Sequence, residues 1–189
     1  MKQLVLGGAR SGKSTYAQQL AIDSGKTVIY IATAFAGDEE MAQRIKRHQQ
    51  QRPPEWQVVE ERIALAETLK QLASDTTCLL VDCLTLWLTN LLCCNEGGGD
   101  KVCGDEEGRD KGCSENTRLL QQQRDALLDG FKDLPGDIIL VSNDVGMGII
   151  PSGALNRQFV DEAGLLHQAL AKQCDRVFLT VAGLPLTLK

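Results

Sequence analysis

Eight residues near the start, Gly7-Gly8-Ala9-Arg10-Ser11-Gly12-Lys13-Ser14, constrain this chain more than any other stretch. They match the phosphate-loop pattern G-x-x-x-x-G-K-[ST] at every fixed position. The context fits as well. An apolar run over Lys2–Leu6 leads in, and a segment with Ala17, Leu20 and Ala21 on one helical stripe leads out. Glycines let backbone N–H groups turn toward a phosphate with no Cβ in the way. The helix start adds its partial positive charge. Lys13 is expected to reach the β- and γ-phosphates, and Ser14 to hold Mg²⁺. A glycine-rich turn without a ligand would not require Lys13 and Ser14 together.

A phosphate loop of this kind belongs in a parallel α/β sheet, and the apolar pattern agrees. Strand-like runs rich in Val, Ile and Leu recur at Leu4–Leu6, Thr27–Ala32, Gln57–Val59, Cys78–Val81, Asp137–Val141 and Arg176–Val181. Their near-continuous hydrophobicity suits strands covered on both faces. Helical patterns separate most of them, at Lys13–Asp23, Asp38–Gln51, Ala64–Ser74, Leu84–Leu92, Asn116–Lys132 and Ser152–Lys172. The 189 residues fit a single catalytic domain spanning 1–189. Asn95–Ser114, with six glycines and many charges, breaks the pattern and reads as a mobile surface insertion.

Leu79-Leu80-Val81-Asp82 supplies a second piece of nucleotide chemistry. It places a carboxylate at the carboxyl end of a buried strand, where ligands sit in open α/β sheets. There an acid helps hold Mg²⁺. Read alone, Asp82 would serve as well as a cap for the helix that follows.

Arg44, His48 and Arg52 recur every four residues and form one stripe, with an imidazole between two guanidiniums. Neighbouring positive charge keeps a histidine neutral and nucleophilic at pH 7. A solvated basic helix face explains the same stripe equally well. His167, in a long amphipathic helix, reads as structural.

The formal net charge of −5 disfavours a nucleic-acid partner. No apolar run approaches a membrane span. Met1–Gly8 lacks the pattern of a signal peptide, so a cytoplasmic location is expected. Seven cysteines without a CxxC pair favour reduced thiols over a disulfide framework or a zinc site, with Cys78 and Cys83 as small core residues.

With these residues in hand, the chain resembles the bifunctional adenosylcobinamide kinase/adenosylcobinamide-phosphate guanylyltransferase family of cobalamin biosynthesis. The resemblance rests on GGARSGKS at Gly7–Ser14, YIATA at Tyr30–Ala34 and EMAQRIKRHQQQRP at Glu40–Pro53. It continues through Trp56–Glu60, LLVDCLTLWLTNLL at Leu79–Leu92, VSNDVGMGIIP at Val141–Pro151, Arg157–Gly164 and the final VAGLPLTLK.

The resemblance implies a RecA-like P-loop fold and two reactions. A nucleoside triphosphate, ATP or GTP, phosphorylates adenosylcobinamide. GMP from GTP then passes through a guanylylated histidine to adenosylcobinamide phosphate, giving adenosylcobinamide-GDP and pyrophosphate. His48 matches that histidine and becomes, with Lys13, the catalytic assignment. Nucleotide contacts map to Gly7, Gly8, Ala9, Arg10, Ser11, Gly12, Lys13 and Ser14, to Ala32, Thr33 and Ala34, to Gln49, Gln50, Gln51 and Arg52, and to Glu60 and Asp82. Ser14 and Asp82 are the implied Mg²⁺ ligands. A homo-oligomer, a trimer by resemblance, is expected. The competing readings are a monofunctional P-loop kinase of a small metabolite and a non-enzymatic GTP-binding regulator. The regulator reading lacks its usual N-K-x-D guanine tetrapeptide.

Overall fold

The computed structural model describes residues 1–34, 39, 52–93 and 109–189. Strands and helices alternate: β1 (Lys2–Gly7), α1 (Lys13–Asp23), β2 (Thr27–Ala32), β3 (Gln57–Glu60), α2 (Leu65–Leu72), β4 (Thr77–Asp82), α3 (Leu84–Leu92), α4 (Arg109–Leu128), β5 (Asp137–Asn143), α5 (Ala154–Gln173), β6 (Arg176–Val181) and β7 (Leu184–Thr187). A 3-10 turn at Phe131–Asp133 links α4 to β5.

The strands form one sheet in the order β3-β2-β4-β5-β1-β6-β7. Every neighbouring pair is parallel except β6 and β7. This is the mostly parallel α/β class that the apolar runs predict. The central strands are buried from both sides, which explains their unbroken Val, Ile and Leu content. Alternation along each strand divides the core in two. Val5, Tyr30, Leu80 and Val141 pack with Ala17 and Ala21 of α1 on one face. Leu4, Ile31, Leu79 and Leu140 pack on the other with Trp87, Leu88, Leu120, Leu166 and Leu170 from α3, α4 and α5. Cys78 and Cys83 are buried core residues, as expected.

Three features depart most from the sequence expectation, beyond shifts of one or two residues at other element ends. Helix α4 begins at Arg109, so residues 109–114 of the segment read as a surface insertion are helical. These polar residues extend a helix whose anchors, Leu120 and Leu127, lie further along. The periodicity expected to run to Lys132 ends at Leu128 and resumes as the 3-10 turn, because Gly130 adopts a left-handed φ of 73°. Strand β7 has no counterpart among the expected elements. The expected helix over Asp38–Gln51 lies outside the described residues, save Glu39, and so does 95–108.

Candidate functional site

The sheet order sets the location of the site. Gly7, at the carboxyl end of β1, pairs with Asn143 of β5. Asp82, at the carboxyl end of β4, pairs with Val141 of β5 and Ala32 of β2. Ala32 in turn pairs with Glu60 of β3. The strand ends carrying the phosphate loop, Asp82, Ala32 and Glu60 therefore lie on one side of the sheet, at the carboxyl ends of its parallel strands.

The phosphate loop is held from beneath and left open above. Asp144 donates its amide to the Gly7 carbonyl at 3.1 Å, and Gly183 donates to the Ser11 carbonyl at 2.8 Å. A side chain on Gly7 would meet Ser11 Oγ at 2.4 Å and the Thr180 carbonyl at 2.7 Å, so only glycine fits there. A side chain on Gly8 would meet nothing within 4 Å. Gly8, Ala9 and Arg10 are exposed. Arg10 and Gly12 have φ of 56° and 91°, left-handed conformations that turn the loop into α1. The positive φ values fall within the Gly-x-x-x-x-Gly stretch, where the motif calls for a tight turn.

Lys13 opens α1, buried to 9 % exposure, and its Nζ donates to the Gly8 carbonyl at 3.3 Å across the loop mouth. Its charge is felt at Cys83, whose thiol burial pushes up to about 11, with Asp82 pushing the same way and Lys13 opposing. The lysine and the β4 terminus thus share one electrostatic neighbourhood. Ser11 Oγ is buried without a hydrogen-bond partner. Ser14, next along α1, contributes a hydroxyl, and Asp82 a carboxylate. Hard oxygen donors of this kind suit Mg²⁺.

Asp82 does not stand alone at its strand end. Tyr30 donates its hydroxyl to Asp82 Oδ2 at 2.8 Å. Arg52 lies over the Tyr30 ring, its Cζ 3.5 Å from the ring centroid. Thr33 closes the β2–β4 gap: its hydroxyl donates to the Cys83 carbonyl at 2.7 Å and accepts from the Cys83 amide at 2.9 Å. Thr33 is fully buried, and its amide donates to the Asp82 carbonyl at 3.3 Å. Its carbonyl already accepts from Asn90 Nδ2 at 2.8 Å. Ala32 and Ala34 are half-buried, and Glu60 is exposed. His48, Gln49, Gln50 and Gln51 lie outside the described residues, as does Arg44.

Two supports of the site carry weak sequence signals. One is the β6–β7 turn, where Gly183 braces Ser11 and a side chain on Gly12 would meet Gly183 Cα at 3.0 Å. The other is a hydrogen-bond chain behind the end of β5. The Asn143 amide donates to Thr85 Oγ1 at 2.7 Å, Thr85 Oγ1 lies 3.2 Å from Ser142 Oγ, and Ser142 Oγ lies 2.7 Å from His167 Nε2. His167 therefore fixes the strand end beside the phosphate loop, in line with its structural reading. Burial holds its imidazole below the ordinary pKa, against the opposing pull of Asp144.

Comparison with known proteins gives the same direction. Residues 3–188 match the model of the family described as cobinamide kinase / cobinamide phosphate guanyltransferase. The chain is 52% identical over 189 residues to the bifunctional adenosylcobalamin biosynthesis protein CobP of Pseudomonas aeruginosa, covering all of this chain and 98% of the relative. It is 39% identical to the bifunctional adenosylcobalamin biosynthesis protein CobU of Escherichia coli and 35% identical to that of Salmonella typhimurium, each over the full length of both chains. Among solved structures, the RadB recombinase matches with a TM-score of 0.44 at 18% identity, covering 94% of this chain and 73% of its own. With its phosphate loop intact and its match running almost end to end, the chain belongs to the cobinamide kinase / cobinamide phosphate guanyltransferase family.

Proposed function

We propose that this chain is a bifunctional enzyme of cobalamin biosynthesis, acting as one catalytic domain. It phosphorylates adenosylcobinamide with ATP or GTP. It then transfers GMP from GTP, by way of His48, to adenosylcobinamide phosphate, releasing pyrophosphate and adenosylcobinamide-GDP. The observation that carries this reading is the phosphate cradle of Gly7–Ser14, with Lys13 across its mouth and Asp82 on the nearby strand end. Family membership directs the choice of substrate.

In the first reaction the loop amides and Lys13 hold the β- and γ-phosphates. Ser14 and Asp82 would hold Mg²⁺, which would supply neutralisation of the charge developing on the phosphates. The attacking group is the acceptor hydroxyl, and positioning supplies most of the rate. In the second reaction a neutral His48 imidazole attacks the α-phosphorus, and pyrophosphate leaves against Lys13. The acceptor phosphate then displaces the imidazole from GMP. Gln49, Gln50, Gln51, Arg52, Ala32, Thr33, Ala34 and Glu60 are the proposed remaining nucleotide contacts.

We also read the chain as a homo-oligomer, by resemblance a trimer. Support comes from exposed Leu184, Leu186 and Leu188 on and beside β7, at the edge of the sheet, and from exposed Ile149 and Ile150. No helix among the described residues is long and apolar enough to cross a membrane.

The test is product analysis. Purified protein is incubated with adenosylcobinamide, Mg²⁺ and GTP, and products are followed by mass. Sequential appearance of adenosylcobinamide phosphate and adenosylcobinamide-GDP is expected. Neither product appearing from folded protein would sink the reading.

A further inference from the structure

Tyr30 sits two residues before the end of β2 and is 1 % exposed. Its two ends do different work. The hydroxyl donates to Asp82 Oδ2 at 2.8 Å. The ring face carries the Arg52 guanidinium, with Cζ 3.5 Å from the centroid. Arg52 Nε is buried without a hydrogen-bond partner, so the contact with the ring is what seats that part of the guanidinium. A phenylalanine at this position would keep the ring contact and lose the carboxylate bond. A leucine would lose both.

We propose that Tyr30 is a positioning residue that couples the carboxylate of Asp82 to Arg52, so that cation loading beside the phosphate loop and the seating of Arg52 on the nucleotide occur together. The inference rests on the assignment of Asp82 to Mg²⁺ and of Arg52 to nucleotide. With one oxygen tied to the phenol, the Asp82 carboxylate has its plane set before a cation arrives. With its guanidinium over the ring, Arg52 meets the nucleotide already ordered.

The experiment titrates Mg²⁺ against binding of a fluorescent GTP analogue in the full chain. Tyr30→Phe is expected to raise the Mg²⁺ concentration for half-maximal binding about three- to tenfold, with affinity at saturating Mg²⁺ unchanged. Tyr30→Leu should show the same shift and also bind about tenfold more weakly at saturating Mg²⁺. Arg52→Ala should cost affinity in the wild type and in Tyr30→Phe, but little further in Tyr30→Leu. Melting temperatures establish that each variant is folded, and Tyr30→Phe, lacking a single oxygen, keeps the test open if Tyr30→Leu does not fold.

A folded Tyr30→Phe protein with wild-type Mg²⁺ dependence overturns the coupling. Equal losses from Arg52→Ala in the wild type and in folded Tyr30→Leu overturn it too. Asp82→Asn separates the premises: if it shifts the Mg²⁺ dependence while Tyr30→Phe does not, only the coupling fails. If Asp82→Asn leaves that dependence unchanged, the metal assignment fails and the coupling with it.

Discussion

Gly183, in the turn between the last two strands, donates its amide to the carbonyl of Ser11 at 2.8 Å. The phosphate loop is thus buttressed by the far end of the chain. The same turn brings Gly183 Cα within 3.0 Å of where a Gly12 side chain would stand. The loop has solvent on one side and packed backbone on the other.

Gly7→Ala tests that packing. The new methyl would overlap Ser11 Oγ and the Thr180 carbonyl, and the carbonyl cannot swing away. The expected cost is about 1–3 kcal/mol of stability. Denaturant unfolding measures it, and a fluorescent nucleotide should bind at least tenfold more weakly at about that strain. Wild-type stability and affinity together would show that the loop relaxes freely.

Lys13→Ala should weaken triphosphate binding about ten- to a hundredfold and remove both proposed reactions. Among the described residues, Lys13 Nζ makes one long hydrogen bond, 3.3 Å, to the Gly8 carbonyl. Removing it should leave the melting temperature close to wild type. Normal turnover in the folded variant would end the phosphate-cradle assignment.

His48→Ala should divide the two reactions. Phosphoryl transfer needs a bound triphosphate and a positioned hydroxyl, not an imidazole nucleophile. The variant should therefore still phosphorylate adenosylcobinamide, yet take no label from GTP carrying a labelled α-phosphate. In the wild type the label should be acid-labile and base-stable, as a phosphoramidate is. Peptide mapping to a residue other than His48 would refute the mechanism.

His167 predicts a pH dependence of stability. Its folded pKa lies below the ordinary value near 6.5 because burial disfavours the charged ring. A depressed folded pKa gives stability that is present above the unfolded pKa and is lost as pH falls through it toward the folded pKa. The limiting slope for one proton is about 1.4 kcal/mol per pH unit. His167→Gln, which can still bond Ser142 Oγ, should lose less stability than the wild type between pH 7 and 5. Denaturation midpoints across that range decide it, and parallel curves would remove His167 as the source.

Most of the sheet was legible because its strands are buried on both faces. Runs such as Cys78-Leu79-Leu80-Val81 leave little choice of structure. Strand β7 was not legible. Leu184–Thr187 is exposed at every position and contains Pro185, which argues against a strand by itself. What forms it is the turn: Ala182 and Gly183 have φ of 51° and 82°, the twin positive values of a tight hairpin. The phosphate loop was readable as a motif because backbone geometry dictates its residue types. The Tyr30–Asp82 bond and the Thr33–Cys83 pair were not readable, since both join residues 50 or more positions apart through register alone. Local polarity hides the start of α4, a helix whose apolar anchors lie downstream.

The position of β1 in the sheet has a consequence for biosynthesis. The phosphate loop is made before β5 and β6, yet β1, which carries it, lies between those two strands. Until residue 181 has been translated, β1 lacks one of its two parallel neighbours. Until Gly183 follows, the loop lacks its brace. A chain stalled before that point carries the whole nucleotide motif in its sequence and no finished site to hold a nucleotide. Nucleotide binding therefore reports that translation has passed Gly183, and a nascent-chain series should acquire it abruptly, not in proportion to length.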